Sequence, residues 1–250
     1  MSLFDIAGRR ILVTGASSGF GRHFALTLAE RGAFVLAAAR RLEALDSLVA
    51  EIAARGGQAR AVRMDVNDSA SIRAALDAAG TIDALVNNAG ITNSKPLLDQ
   101  TEADIDAILD TNLKGAMLVA VEAARRMRDA GTAGAIVNIA SILGLRQGGH
   151  VTPYAVSKAG IIQMTKQLAL ELARHSIRVN AIAPGYFETE LNSDFFDTPA
   201  GAALVKRVPQ RRLGRLTDLD GVLLLLVSEA SAYMTGSVVT VDGGHLVSSL

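Results

Sequence analysis

Four residues have types and spacings suited to proton transfer: Asn112, Ser141, Tyr154 and Lys158. Tyr154 and Lys158 stand four apart, so on a helix they share a face. A phenol can pass a proton to or from an oxygen, but its ordinary pKa of about 10 is high for a base near neutrality. An ammonium fixed about 4 Å away contributes roughly 4 kcal/mol at an effective dielectric near 20. At about 1.4 kcal/mol per pH unit, that lowers the phenol pKa by as much as about three, with desolvation opposing. The Ser141 hydroxyl can donate to the same oxygen and position it. Taken singly, each residue has a plain alternative: a Tyr–Lys surface pair, a Ser helix cap, a satisfied core Asn. An Asn inside a helix also competes for backbone hydrogen bonds.

These side chains need a scaffold, and the hydrophobic pattern supplies one. Apolar or β-branched runs at Ile11–Thr14, Phe34–Ala38, Ala59–Arg63, Ala84–Val86, Ala135–Ile139, Ile177–Ala181 and Val238–Val241 alternate with longer amphipathic stretches. Runs that are apolar throughout suit strands covered on both faces. Helices are expected at about 19–31, 41–55, 69–78, 101–129, 153–174 and 218–228. Thr101 with Asp104 reads as a helix start, and Gly32, Gly56 and Gly131 as helix stops. Strand–helix alternation implies an α/β fold: a single-domain, Rossmann-like, doubly wound parallel sheet of about seven strands with helices on both faces. The segment 183–217 reads as one long irregular piece, and the length of its loop suggests function.

The first strand runs into Thr14-Gly15-Ala16-Ser17-Ser18-Gly19-Phe20-Gly21. Gly15 allows a tight turn, and Gly19 and Gly21 remove side chains where a pyrophosphate and the strand approach the helix. Backbone N–H groups and the positive dipole end of that helix attract the anion. No Gly-Lys-Ser/Thr ending follows, so this is not an ATPase phosphate loop. A tight β–α turn is the plain alternative.

This turn resembles the TGxxxGxG turn of the short-chain dehydrogenase/reductase family, and the likeness continues along nearly the whole chain. Asp65 follows the third strand, Asn87-Asn88-Ala89-Gly90 the fourth, and Asn112-Leu113-Lys114-Gly115 lies in the stretch 101–129. Ser141 follows the fifth strand, Tyr154-Ala155-Val156-Ser157-Lys158 opens a helix, and Pro184-Gly185 and Val241-Asp242-Gly243-Gly244 come later. The chain is most similar to the compact bacterial group around 3-oxoacyl-ACP reductases and sugar or gluconate dehydrogenases. The resemblance implies hydride exchange between a nicotinamide dinucleotide and a carbonyl or secondary alcohol. Tyr154 would be the acid/base, Ser141 would position the substrate oxygen, and Lys158 would also hold the nicotinamide ribose. Asn112 would hold a water that links Lys158 to solvent. The cofactor would meet Gly15, Ser17, Ser18, Gly19, Phe20 and Gly21 at the phosphates, and Asp65 and Val66 at the adenine. Asn87, Ala89, Gly90, Pro184 and Gly185 would line it, and Thr189 would bond the carboxamide.

The second strand ends Ala38-Ala39-Arg40-Arg41. An acid at that point reads ribose hydroxyls. Ala39 stands there instead, and Arg40 offers a planar fork to a 2′-phosphate, favouring NADP(H) over NAD(H). Solvated charges at a helix start are the alternative for both arginines. Substrate contacts are expected from Ser141, Leu143, His150, Tyr154 and Tyr186, beside Ile91, Thr92 and a lid at about 190–213 that holds Phe195 and Phe196. Arg146 and Arg207 could meet an acidic substrate or simply face solvent.

The chain has 250 residues, half of them hydrophobic, with 25 basic and 25 acidic side chains and no cysteine. Zero net charge argues against a nucleic-acid binder. The absent cysteines exclude disulfides and thiolate chemistry, and the scattered histidines show no metal-ligand spacing. Asp5, Arg9 and Arg10 interrupt any secretory apolar stretch, and no run is long enough for a membrane span, so a cytoplasmic protein is expected. The resemblance implies a homotetramer. The alternatives are an NAD-dependent sugar or polyol dehydrogenase of the same fold and, further off, an idle dinucleotide-sensing module or an extended-type epimerase.

Overall fold

The computed structural model describes residues 3–188, 196 and 198–248. Seven parallel strands form one sheet in the order β3-β2-β1-β4-β5-β6-β7. They are β1 Arg10–Thr14, β2 Phe34–Ala39, β3 Gln58–Arg63, β4 Ala84–Asn87, β5 Ala135–Ile139, β6 Arg178–Pro184 and β7 Val238–Val241. The helices are α1 Gly19–Glu30, α2 Leu42–Ala54, α3 Ser69–Ala79, α4 Glu102–Leu109, α5 Ala116–Asp129, α6 Thr152–Leu172, α7 Pro199–Val205 and α8 Asp220–Val227.

Side chains on β1 alternate between two cores, as a strand period of two requires. Ile11 and Val13 pack with Phe24, Leu28, Leu48 and Leu223 from α1, α2 and α8. Leu12 packs on the other face with Ile72, Leu76, Val119 and Met127 from α3 and α5. Chain order reverses between β1 and β4, which pair in register Ile11 with Ala84 and Val13 with Val86. A crevice opens at the carboxyl ends of strands at such a switch point. No described helix is long and apolar enough to cross a membrane.

The Thr101 capping box forms: Asp104 N donates to Thr101 Oγ1 at 3.2 Å, and Thr101 N donates to Asp104 Oδ2 at 2.9 Å. Lys95 and the Thr101 donors hold the Asp104 carboxyl well below its usual range. Gly32, Gly56 and Gly131 follow their helices with φ of 82°, 80° and 65°.

Two expectations change. The stretch 101–129 is not one helix: α4 and α5 are joined by a π-turn at Asp110–Gly115. A Cβ at Gly115 would lie 2.8 Å from the Val66 carbonyl oxygen, so the chain passes this point only as glycine. The segment 183–217 is not irregular throughout either. Pro199 is tolerated in the first turn of α7, and Gly201 N donates to Thr198 Oγ1 at 3.1 Å. β6 also extends to Pro184, which pairs with Val241.

Candidate active site

A cleft of about 800 Å³ lies over the carboxyl ends of the central strands. At its phosphate end, the chain leaves β1 through Gly15, with φ of 67°. A Cβ there would sit 2.9 Å from Ala89 Cα, and one at Gly21 would sit 2.3 Å from the Gly15 carbonyl oxygen. Gly21 thus packs beneath the loop, while Ser17, Ser18, Gly19 and Phe20 face the cleft. Thr14 Oγ1 accepts from Asn88 N at 2.9 Å and from Ala89 N at 3.0 Å, fixing the β4 loop against this turn. Ser18 makes no side-chain cap bond to α1, so the helix start remains open to an anion. The glycine-floored cradle at a helix N-terminus fits a dinucleotide pyrophosphate.

Asn87 is buried, and its Nδ2 donates to Ala116 O at 2.8 Å and to Asn138 Oδ1 at 3.2 Å. Its amide therefore serves the scaffold; Asn88, Ala89 and Gly90 line the cleft. Asp65 and Val66 line the adenosine end. The Asp65 carboxylate accepts from Asn67 N at 3.0 Å. Ala39 is buried at the end of β2, and Arg40 is exposed at the mouth. Arg41 reaches across the phosphate turn, its Nη2 donating to Ser17 Oγ at 3.0 Å and Ser18 Oγ at 3.3 Å. Sequence reasoning favoured Arg40 alone; the structure brings a second guanidinium to the same mouth.

At the opposite end, Ser141 follows β5 and caps a short turn, accepting from Leu143 N at 3.1 Å. Gly144 lets that turn press onto α6, since a Cβ there would lie 2.7 Å from the Lys158 carbonyl carbon. This contact brings Ser141 to Tyr154, one helical turn before Lys158. Lys158 is 5% exposed, and its Nζ donates to the Ile139 carbonyl at 2.8 Å. Burial draws its pKa down to about 8. Nζ lies 5.5 Å from the centre of the Tyr154 ring.

The phenol of Tyr154 is shifted upward, against the expectation drawn from the lysine beside it. Desolvation is the largest cause, a hydrogen bond with Ser141 opposes it, and Tyr186 adds to it. The reason is geometric: the ammonium is aimed at Ile139 O, and burial weakens its own charged form.

The π-turn places Asn112 behind this group. It is 1% exposed, accepts from Ile91 N at 2.7 Å through Oδ1, and donates through Nδ2 to Ile91 O at 2.8 Å and Ser157 Oγ at 3.2 Å. Ser157 Oγ donates in turn to the Tyr154 carbonyl at 2.7 Å. Sequence reasoning missed Ser157 as a link, although it sits inside the Tyr154–Lys158 motif. It also missed Asn138, whose Nδ2 donates to Thr165 Oγ1 at 2.9 Å and ties β5 to α6.

Ile91, Thr92, Leu143, Gly185 and Tyr186 complete the wall. Pro184 ends β6 behind it. His150 is exposed with φ of 63°, its carbonyl accepting from Lys95 N at 2.8 Å; Val151, not His150, faces the cleft. Thr189 lies outside the described residues, as do 190–195, with Phe195 among them, and 197 of the expected lid; Phe196 meets Tyr186 at 6.5 Å between ring centres.

The family model for short chain dehydrogenases matches residues 9–200. The chain belongs to the short chain dehydrogenase family. This short chain dehydrogenase is 39% identical over 246 residues to the 3-oxoacyl-[acyl-carrier-protein] reductase FabG of Thermotoga maritima, covering 97% of this chain and 99% of that protein. It is 37% identical to the gluconate 5-dehydrogenase of Gluconobacter oxydans, covering 98% of each. The crystal structure of a gluconate 5-dehydrogenase from Burkholderia cenocepacia in complex with NADP and tartrate matches with a TM-score of 0.94 and 37% identity, over 99% of this chain and 98% of that one. The short chain dehydrogenase is thus an oxidoreductase that acts on CH–OH groups and uses a nicotinamide dinucleotide.

Proposed function

We propose that the chain is a single dinucleotide-binding and catalytic domain that prefers NADP(H) and interconverts a carbonyl and a secondary alcohol. The observation that carries this reading is the convergence of Ser141, Tyr154 and Lys158 on one end of a cleft whose other end is the glycine turn. Bound NADP(H) supplies or receives the hydride. Tyr154 gives or takes the proton at the substrate oxygen, and Ser141 donates to that oxygen and holds it in place. Lys158 holds the ribose hydroxyls and, charged, favours the phenolate. Asn112 and Ser157 fix the position of α6 against the Ile91 loop.

Support for NADP(H) comes from the absence of an acid at Ala39 and from Arg40 and Arg41 at the cleft mouth. Described relatives with bound NADP have the same fold. The segment 190–213 is read as a substrate lid. Exposed Met117, Val156, Leu170 and Val247, at 43%, 54%, 75% and 86%, support assembly with further copies, read as a cytoplasmic homotetramer. The test is turnover of both cofactors against a panel of ketones, β-ketoesters, sugars, sugar acids and secondary alcohols. Turnover with NADP(H) on a carbonyl–alcohol pair is expected, and silence across the whole panel overturns the reading.

A further inference from the structure

Behind the substrate end of the cleft, Tyr186 stands between two spaces. It lines the main cleft and also a second cavity of about 390 Å³ floored by Thr240–Gly244. The charges of that second cavity are satisfied. Arg212 pairs with Asp218, and the Asp242 carboxylate accepts from Gly244 N at 2.9 Å and Leu246 N at 2.7 Å.

The charges around Tyr186 itself are different. The His245 ring meets the Tyr186 ring edge-on at 5.3 Å. His245 is only 6% exposed, and its buried Nδ1 has no hydrogen-bond partner. Arg146 donates to the His245 carbonyl. Arg207 directly precedes Val208, Pro209 and Gln210, which pack onto Gly243 and Gly244 just before His245, with Gln210 N donating to Gly243 O at 3.2 Å. Neither guanidinium pairs with a carboxylate among the described residues, and the Asp242 carboxylate, three residues before His245, already accepts from backbone N–H groups. A buried ring nitrogen without a partner is unfavourable, and a carboxylate between the two guanidiniums would give it one.

We propose that Arg146, Arg207, His245 and the Tyr186 hydroxyl form a subsite for a carboxylate, so that the preferred substrates are hydroxy acids and oxo acids. This rests on the carbonyl–alcohol reading above. Burial pushes the Tyr186 phenol up, and the charges of Arg146 and Arg207 oppose that rise. Burial, aided by Arg146 and Arg207 and opposed by Asp242, holds His245 below the ordinary histidine range, so near pH 7 the ring is neutral and adds no competing charge.

The test compares kcat/KM for oxo acids and for their neutral methyl esters, with wild type, Arg207→Gln, Arg146→Gln and Arg146→Lys. Wild type is expected to favour the acid. Charge-assisted bonds of this kind carry roughly tenfold or more in affinity. Arg207→Gln should therefore lower the acid-to-ester ratio by about tenfold, mainly through KM, with the cofactor Kd unmoved. Arg146→Lys should retain more of the ratio than Arg146→Gln. Rising salt should erode the wild-type preference, because a part-exposed ion pair is screened. Equal acid and ester rates in wild type, or an equal loss of both in Arg207→Gln, overturn the subsite. Arg207 is exposed and makes no described side-chain bond, so that variant stays informative if Arg146→Gln does not fold. Should neither acid nor ester turn over with either cofactor, the carbonyl–alcohol reading fails. Calorimetry with malonate then decides the subsite alone: binding weakened about tenfold in Arg207→Gln supports it, and no binding to wild type overturns it.

Discussion

Replacing Lys158 by Met should make the cofactor-free protein more stable while removing its activity. The lysine is 5% exposed, and its only described hydrogen bond goes to Ile139 O. Burial lowers its pKa from 10.5 to about 8. At about 1.4 kcal/mol per pH unit, this gap corresponds to about 3 kcal/mol against keeping the charged lysine folded at pH 7. Methionine removes that penalty but leaves the Ile139 carbonyl without its donor, a loss of about 1 kcal/mol. The net gain is about 2 kcal/mol, or about 4–8 °C in Tm for a chain of this size. The pH dependence gives the sign. Between pH 8 and 10.5 the unfolded chain still holds the lysine proton that the folded protein has released, so wild-type stability rises across that window. The advantage of Lys158→Met should therefore be full at pH 7 and shrink toward pH 10.5. Denaturant unfolding of both proteins at pH 7, 9 and 10.5 measures it. A variant less stable than wild type at pH 7, or an advantage that does not change with pH, refutes the reasoning.

Tyr154→Phe removes the hydroxyl that carries the transferable proton and should cost about 10²–10⁴-fold in kcat with cofactor affinity kept; more than a tenth of wild-type kcat would refute its role. Arg40→Ala and Arg41→Ala should each reduce NADP(H) preference by roughly tenfold or more, and Ala39→Asp should turn it toward NAD(H), checked as kcat/KM ratios for the two cofactors. An Arg41→Ala enzyme with unchanged preference would make its serine contacts merely structural. Gly144→Ala should push the Ser141 turn off α6, lowering kcat by about tenfold or more with little change in cofactor Kd, because a displacement of about 1 Å is costly at a reacting centre; wild-type kcat would show that the turn yields without consequence.

The strands were legible because the runs around Leu12, Leu36, Leu85 and Val137 are apolar on both faces, a pattern that only a covered sheet requires. The catalytic residues were legible through their order and through the four-residue spacing of Tyr154 and Lys158. What the sequence hid depends on tertiary contacts. Nothing local in Asp110–Gly115 announces a π-turn; it follows from Asn112 bonding Ile91 and from Gly115 passing Val66. Pro199 suggested an irregular chain although proline also opens helices. Arg40 and Arg41 are equivalent as letters, and only the backbone decides that Arg41 reaches Ser17. The direction of the Tyr154 shift depends on where Lys158 aims its ammonium.

The π-turn also sets a constraint on chain length. A widened turn holds one residue more than an α-turn, which offsets the two flanking helices by about 100° about their common axis. α5 turns Val119, Ala120, Ala123 and Met127 to the sheet, while Asn112, just before it, is turned to Ile91. Deleting one residue between Asp110 and Gly115 would heal the helix into regular bonding, yet it could keep only one of these two orientations. Kept on the sheet, α5 would leave Asn112 pointing elsewhere, giving a protein that folds well and turns over poorly. Kept on Ile91, it would rotate its apolar stripe into water. As long as α5 stays on the sheet, drift in the length of this segment is checked by activity and not by foldability, because the better-bonded helix is out of phase with the chemistry.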